Sequence, residues 1–246
     1  MAYRYFSNQP LPQEFSEGRV VTLDGEEAHH LLHVMRARQG APVILFDGRG
    51  AEWETTIQST GKKELTLQLL RCSVISRESS CYLALAVALP KGERQKWMVE
   101  KLVELGTAEW IPLETERSVA KIGDSVTRRL ERCVIEASKQ CGRNTLMKIA
   151  DAEKTPTFWD SAVPHRFSRK IIAHPEGKRL AEIDVADSLL AAIGPEGGFS
   201  DAEVEAAQTH GWIPVSLGER ILRTETAAIT LAAITCTLFP SHTTAK

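Results

Sequence analysis

The sequence is poor in the residues and patterns that identify several common protein classes. Its five cysteines are odd in number and show no Cys-x-x-Cys spacing, which argues against a disulfide framework and a zinc ribbon. No run approaches the roughly 20 apolar residues that a membrane helix needs, and the opening MAYRYFSNQP lacks the apolar core of a signal peptide. These absences predict a cytoplasmic protein with reduced thiols.

Several enzyme signatures are also missing. There is no Walker loop, no GxGxxG dinucleotide motif and no GxSxG hydrolase elbow. His29 and His33 lie one helical turn apart, but neither an HExxH glutamate nor a third ligand accompanies them, so no metal site is predicted. The net charge of -2 gives no global reason for nucleic-acid binding, and any such contact must come from local basic patches.

The 246 residues are enough for two domains, and the pattern changes near residue 75. Residues 1–75 contain short runs of alternating apolar and β-branched residues, which predict strands. One helix interrupts them, expected to begin with a capping box of Asp24 and Glu27. Its predicted apolar face consists of Leu31, Leu32, Val34 and Met35. A small β-barrel with one helix is therefore predicted, followed by a polar linker over Ser76–Ser80.

Residues 76–246 alternate between apolar strands and amphipathic helices. CYLALAVALP is an almost continuous apolar run, which is typical of a strand buried on both faces of a parallel sheet. Helices are predicted in GERQKWMVEKLVELG, DSVTRRLERCVIEASKQC and SDAEVEAAQTHG. The fold class is therefore α/β, with a mainly parallel sheet in this second domain.

Ligands of open α/β sheets bind beyond the carboxyl ends of the strands, so the segments after apolar strands are the first candidates. Three stand out: AHPEG (173–177), IGPEGGFS (193–200) and LGERILRTET (217–226). In the second, the glycines allow close approach of backbone to a ligand, and Ser200 with Glu203 forms a capping box for the next helix. This pattern is typical of a site for an anion or a nucleotide-like ligand, but a tight turn that binds no ligand would have the same pattern.

Taken together and in this order, the three segments resemble the SPOUT class of S-adenosylmethionine (SAM)-dependent RNA methyltransferases, and within it the RsmE family. The motifs HHLLHVMRARQG, FDGRG, LPKGERQKWMVEKLVELG and SKQCGRN extend the resemblance over nearly the whole chain. It implies a PUA-like RNA-binding β-barrel over residues 1–75 and a SPOUT methyltransferase domain with a deep trefoil knot over residues 76–246. The activity implied is methylation of N3 of a uridine in 16S rRNA of the small ribosomal subunit, carried out by a homodimer.

The resemblance also implies a set of cofactor-binding residues in the knot loops, where SAM is bound mostly through backbone groups. By position, these residues are Ile172, His174, Pro175, Ile193, Gly194, Glu196, Gly197, Leu217, Gly218, Ile221, Leu222 and Thr224.

Methylation at N3 also requires that the proton of the uracil imide be removed or weakened. Arg223 is the first candidate for stabilising the deprotonated base, and Arg220 the second, because a nearby cation favours an anion. Glu225 and Glu196 are candidates for the general base, but Glu225 would equally complement the dipole of the last helix. Thr224 or Thr226 is expected to cap that helix.

Basic residues along the chain are the candidates for contacts with RNA phosphates. They are Arg4, Arg36, Arg38, Lys91, Arg94 and Arg143. Two other functions stay open: a cofactor-responsive RNA-binding or assembly factor that has lost catalysis, and a methyltransferase that acts on another RNA position.

Overall fold

The computed structural model describes residues 3–12, 18–120, 122–184 and 187–240. The chain divides into two compact units. The first comprises Met1–Arg77 and Ser138–Leu146, and the second comprises Glu78–Ala137 and Met147–Lys246. Nothing in the sequence pattern indicated that residues 138–146 belong with the first unit.

The first unit is built on one five-stranded sheet with the order β1-β3-β4-β5-β2. Its strands are β1 (Tyr3–Phe6), β2 (Val20–Leu23), β3 (Pro42–Phe46), β4 (Ala51–Thr60) and β5 (Leu65–Val74). β1 runs parallel to β3, and the other neighbours are antiparallel. Alternate residues of the strands, among them Leu45, Trp53 and Leu67, are buried in one core, which confirms the predicted strand pattern.

The helix of this unit differs from the prediction in two details. It consists of α1 (Gly25–His29), which continues into a π-helical turn over His30–Val34. The side chain of Asp24 makes no capping hydrogen bond, so the predicted capping box is wrong, and Glu27 accepts a hydrogen bond of 2.9 Å from Lys139 Nζ. Leu31 is buried, whereas Val34 is 60% exposed, because a π-turn is wider than the 3.6-residue repeat on which the predicted face was based.

The second unit contains β6 (Tyr82–Ala88), β7 (Glu109–Glu114), β8 (Lys148–Ile149), β9 (Glu153–Lys154), β10 (Arg169–Arg179), β11 (Ser188–Ile193) and β12 (Ile213–Ser216). They form one sheet with the order β12-β10-β11-β6-β7-β8, with β9 also paired to β7. Every registered pair is parallel, as predicted. The helices are α2 (Arg94–Glu104), α3 (Asp124–Cys141, which ends in the first unit), α4 (Thr155–Phe158), α5 (Asp201–Thr209) and α6 (Thr224–Leu238).

The hydrophobic core of the second unit lies against its sheet. Residues of β6, β7, β10 and β11 pack with an aromatic group of Phe158, Trp159 and Trp212. α6 packs against α2 and β6. Among the described residues, no helix is both long and apolar enough to cross a membrane.

Candidate functional site

Three segments at the carboxyl edge of the second unit's sheet enclose a cavity of about 400 Å³. Because the strands are parallel, the ends of β11 and β12 and the interruption within β10 lie at the same edge. The three segments are those singled out by the sequence, at 173–175, 193–199 and 215–222. A cavity of this size falls within the range of small-molecule sites, about 300–1,000 Å³.

The segment after β11 is held in place by the start of α5. Ser200 is the N-cap of this helix, and its hydroxyl accepts a hydrogen bond from Glu203 N, while Glu203 Oε2 accepts one of 2.9 Å from Ser200 N. This confirms the predicted capping box. Glu203 Oε1 also accepts hydrogen bonds from Glu116 N, at 2.9 Å, and from Thr155 Oγ1. The buried carboxylate thereby joins three parts of the chain behind the cavity.

Arg117 is a further support of this segment that no sequence motif indicated. Its Nη1 donates a hydrogen bond of 2.8 Å to Gly197 O, and its aliphatic stem lies where a Cβ on Gly197 would meet it at 3.4 Å. Gly198 adopts a φ of +68°, which favours glycine. Arg117 therefore orients a turn whose backbone lines the cavity. Only the three-dimensional contact identifies it, because 80 residues separate the partners.

The segment after β12 carries the residues of the cavity's outer wall. Ile221 is 90% exposed although it lines the cavity, so one face of the cavity opens to solvent. Arg223 is the N-cap of α6 and makes no side-chain capping bond, so the expected cap by Thr224 or Thr226 is wrong. Thr224 Oγ1 instead donates a hydrogen bond of 3.0 Å to Gly194 O, because it faces the neighbouring segment. This bond ties the second and third segments together.

The first segment is an irregularity within β10, so the prediction that residues 173–177 form a loop after the end of a strand is wrong. β10 extends to Arg179, and its pairing with β12 shifts between Ala173 and Lys178. Gly177 approaches β12 so closely that a Cβ would lie 2.3 Å from Val215 N. The extra residues bulge out of the ladder because both flanks stay paired with β12.

Ten of the twelve predicted cofactor-binding residues line the cavity. They are His174, Pro175, Ile193, Gly194, Glu196, Leu217, Gly218, Ile221, Leu222 and Thr224. Ile172 is fully buried in the core, so its side chain is not available to a ligand. Gly197 is exposed and is not among the residues that line the cavity, and its carbonyl accepts a hydrogen bond from Arg117.

The four catalytic candidates differ in their access to the cavity. Arg220 and Glu196 line it, and the Glu196 side chain is 43% exposed. Arg223 is exposed beside it at the start of α6. Glu225 is only 4% exposed. Arg94 lies between the two carboxylates, with Nε 3.6 Å from Glu225 Oε1 and Nη1 3.9 Å from Glu196 Oε1.

Two of the six candidate phosphate contacts have their side chains engaged inside the protein. Arg4 pairs with Glu52 at 2.8 Å, bonds to Asn144 and lies 4.3 Å from the ring centre of Phe46. Arg143 is 4% exposed. Their burial disfavours contact with RNA, because a phosphate would have to displace these internal contacts. The exposed candidates are Arg36, Arg38, Lys91 and Arg94.

The sequence matches two family models, one for each part of the chain. Residues 77–236 match the RNA methyltransferase domain, and residues 23–70 match the RNA methyltransferase PUA domain. The fold and the cavity thus belong to the RNA methyltransferase class.

Individual relatives narrow the class. The chain is 31% identical over 240 residues to "Ribosomal RNA small subunit methyltransferase E" of Bacillus subtilis, covering 92% of this chain and 93% of the relative. It is 32% identical over 244 residues to the protein of that name from Synechocystis, covering 97% and 78%. The chain belongs to the ribosomal RNA small subunit methyltransferase E family.

Solved structures agree with this membership. A methyltransferase of Legionella pneumophila in complex with SAM superimposes with a TM-score of 0.87 at 33% identity, covering 97% of this chain and 98% of the other. A ribosomal RNA small subunit methyltransferase E of Neisseria gonorrhoeae bound to SAM gives a TM-score of 0.87 at 28% identity, covering 99% and 100%.

Proposed function

We propose that this protein transfers a methyl group from SAM to N3 of a specific uridine in 16S rRNA of the small ribosomal subunit. The cavity carries the proposal: three backbone-rich segments from separate strands converge at the sheet's carboxyl edge in a member of this family. Two relatives of similar fold are described with SAM bound.

The residues around the cavity fit SAM chemically. Ile193, Leu217 and Leu222 offer apolar surface to a flat base, and the backbone of Gly194 and Gly218 allows close polar contacts. Bound SAM supplies a methyl group attached to a positively charged sulfur. The chain's own residues must bind it, orient the uridine and accept the proton.

The reaction at N3 needs an acceptor nitrogen whose proton has been removed and whose negative charge is stabilised. Glu196 is our candidate base, because its carboxylate lines the cavity and is accessible, whereas Glu225 is buried. Arg223 and Arg220 are our candidates for the uridine-binding cations, and only Arg220 lines the cavity directly. Holding the reactants in line contributes most, since orientation is worth about 7–11 kcal/mol in favourable cases.

Further features complete the proposal. We propose a deep trefoil knot in the domain of residues 76–246, supported by the resemblance of its three loop segments to the SPOUT class. The PUA-like domain of residues 1–75 would hold rRNA, with Arg36 and Arg38 as phosphate contacts, and Lys91 of the second domain would add a third.

We propose that the protein is a cytoplasmic homodimer. This state is supported by exposed apolar side chains on α2 and α6, Trp97 and Leu238.

A comparison of modified nucleosides tests the activity. 16S rRNA from cells lacking the gene should contain no N3-methyluridine at the target position, and the intact gene should restore it. Unchanged modification in the deletion would refute the proposal, and a methyl group at another position would favour the other RNA methyltransferase function. Arg223→Ala should abolish the modification while SAM still binds, measured by calorimetry; loss of SAM binding would contradict its role towards uridine.

A further inference from the structure

Glu225 is a buried carboxylate whose hydrogen bonds are incomplete. Its side chain is 5% exposed, and Oε2 is covered without a hydrogen-bond partner among the described residues. Its other oxygen, Oε1, faces Arg94 Nε at 3.6 Å. A buried, poorly satisfied carboxylate is unfavourable for stability, so its presence calls for a functional reason.

The position of Glu225 argues against a role as general base. A base must come within about 2.6–3.2 Å of the proton that it removes. One oxygen of Glu225 is sealed by protein, and the other faces a guanidinium. Glu225 is therefore placed to act as a fixed negative charge on Arg94.

Arg94 itself retains free hydrogen-bonding capacity. Its distances to Glu225 and Glu196, 3.6 and 3.9 Å, describe ion pairs that are too long for hydrogen bonds. Arg4, in contrast, donates a hydrogen bond of 2.8 Å to Glu52 and another to Asn144. The Arg94 side chain is 43% exposed, so its donors can reach an incoming ligand.

The start of α2, where Arg94 lies, is held in place by the side chain of Gln95. Arg94 begins α2 directly after β6, the strand next to β11 in the sheet. Gln95 Nε2 donates a hydrogen bond of 2.8 Å to Pro90 O, and Gln95 Oε1 accepts one of 2.6 Å from Arg129. Glu196, the other neighbour of Arg94, lines the cavity. A rigid support and a free guanidinium are the features of a preorganised charge.

We propose that Arg94 contacts the target uracil and stabilises the negative charge that spreads to its O2 and O4 atoms when the N3 proton leaves, and that Glu225 positions Arg94 for this contact. The proposal rests on the proposed function and deepens it. It replaces a phosphate contact with a contact to the reacting base, and it gives Glu225 a positioning role. The N3 proton goes to the carboxylate of the general base, for which Glu196 is the candidate. The N3 electron pair forms the bond to the methyl carbon as the carbon–sulfur bond breaks, and the electron pair of that bond stays on sulfur, which becomes neutral.

The test measures methyl transfer to small ribosomal subunits from the deletion strain, with the full-length protein. A wild-type protein that forms no N3-methyluridine would refute the proposed function itself. If wild type is active, Arg94→Ala should lower kcat about 100-fold, the loss expected for one preorganised donor, while the Kd for SAM stays within about twofold. Lys96→Ala is the matched control, because this exposed cation lies two residues further along α2 and pairs with Glu100. Its kcat should equal that of wild type.

Glu225→Gln tests the positioning role. It should lower kcat about tenfold, and in the Arg94→Ala background it should cause no further loss, because the two residues act as one unit. The dependence of kcat on pH should keep its shape in Glu225→Gln. An unchanged kcat in Arg94→Ala, a change in KM for the subunit alone, or additive losses in the double variant would overturn the proposal. Arg94→Ala still tests the contact with uracil if Glu225→Gln folds poorly, because the Arg94 side chain is exposed and its removal should not disturb folding.

Discussion

The close approach of the paired strands β10 and β12 makes Gly177→Ala a severe test of the site's architecture. A Cβ at this position would lie 2.3 Å from Val215 N, 2.5 Å from Pro214 C and 2.6 Å from Val215 C. All three are backbone atoms of a paired strand, so no side chain can rotate away. Ordinary contact would require the strands to separate by about 1 Å. We expect a loss of about 3 kcal/mol in unfolding free energy, the upper end of typical overpacking.

Thermal unfolding followed by circular dichroism measures this loss. For a unit of this size, about 3 kcal/mol corresponds to a Tm lower by roughly 6–12 °C. Gly123→Ala is the control, because its Cβ would have open space and its φ is not in the left-handed region. The control should be neutral or more stable by up to about 1 kcal/mol. If the Tm of Gly177→Ala equals that of Gly123→Ala, the close approach does not constrain the strands and the reasoning is wrong.

Two further predictions follow from other contacts. Arg117→Ala removes the hydrogen bond to Gly197 O that orients a turn of the cavity wall, and hydrogen bonds from charged groups contribute about 1.5–3 kcal/mol. The Kd for SAM, measured by calorimetry, should therefore rise about tenfold. An unchanged Kd would contradict this role of Arg117. Burial raises the pKa of Glu52, but hydrogen bonds from Arg77 and Arg4 outweigh it and hold this pKa below its ordinary 4.5. The stability from Glu52 is therefore fully present above pH 4.5 and is lost as the pH falls through the lowered pKa. Glu52→Gln should destabilise the protein at neutral pH, and its deficit relative to wild type should shrink as the pH is lowered below 4.5; a deficit that does not change with pH would refute this.

Local pattern was enough to predict most elements of the second unit. α3 occupies Asp124–Cys141, the segment that the apolar spacing indicated, and Gly106, just after α2, has a φ of +79°. The capping box of Ser200 and Glu203 is present with both bonds. These features depend on neighbours within four residues, which is why a single sequence reveals them.

Other features depend on partners far along the chain, and for these the sequence pattern gave a wrong prediction or none. Asp24 and Glu27 have capping-box spacing, yet Glu27 binds Lys139, 112 residues away. β10 extends past His174 because β12 pairs with it on both sides of the bulge. The resemblance to a known family located the cavity residues, but it could not tell that Glu196 is accessible and Glu225 buried.

Long-range contacts within the protein fix the shape of the cavity. The first segment packs against β12 through Gly177 and Val215, the second is bound to Arg117 through Gly197, and the second and third are joined by the hydrogen bond from Thr224 to Gly194. None of these bonds uses an atom of the Arg94 guanidinium, whose two ion pairs are long. Contacts of this kind restrict the loops and so lower the conformational entropy that they lose when SAM binds. We expect movement on substrate binding to be concentrated in the exposed wall around Ile221, whereas Arg94 is already positioned by Glu225 to meet the uridine.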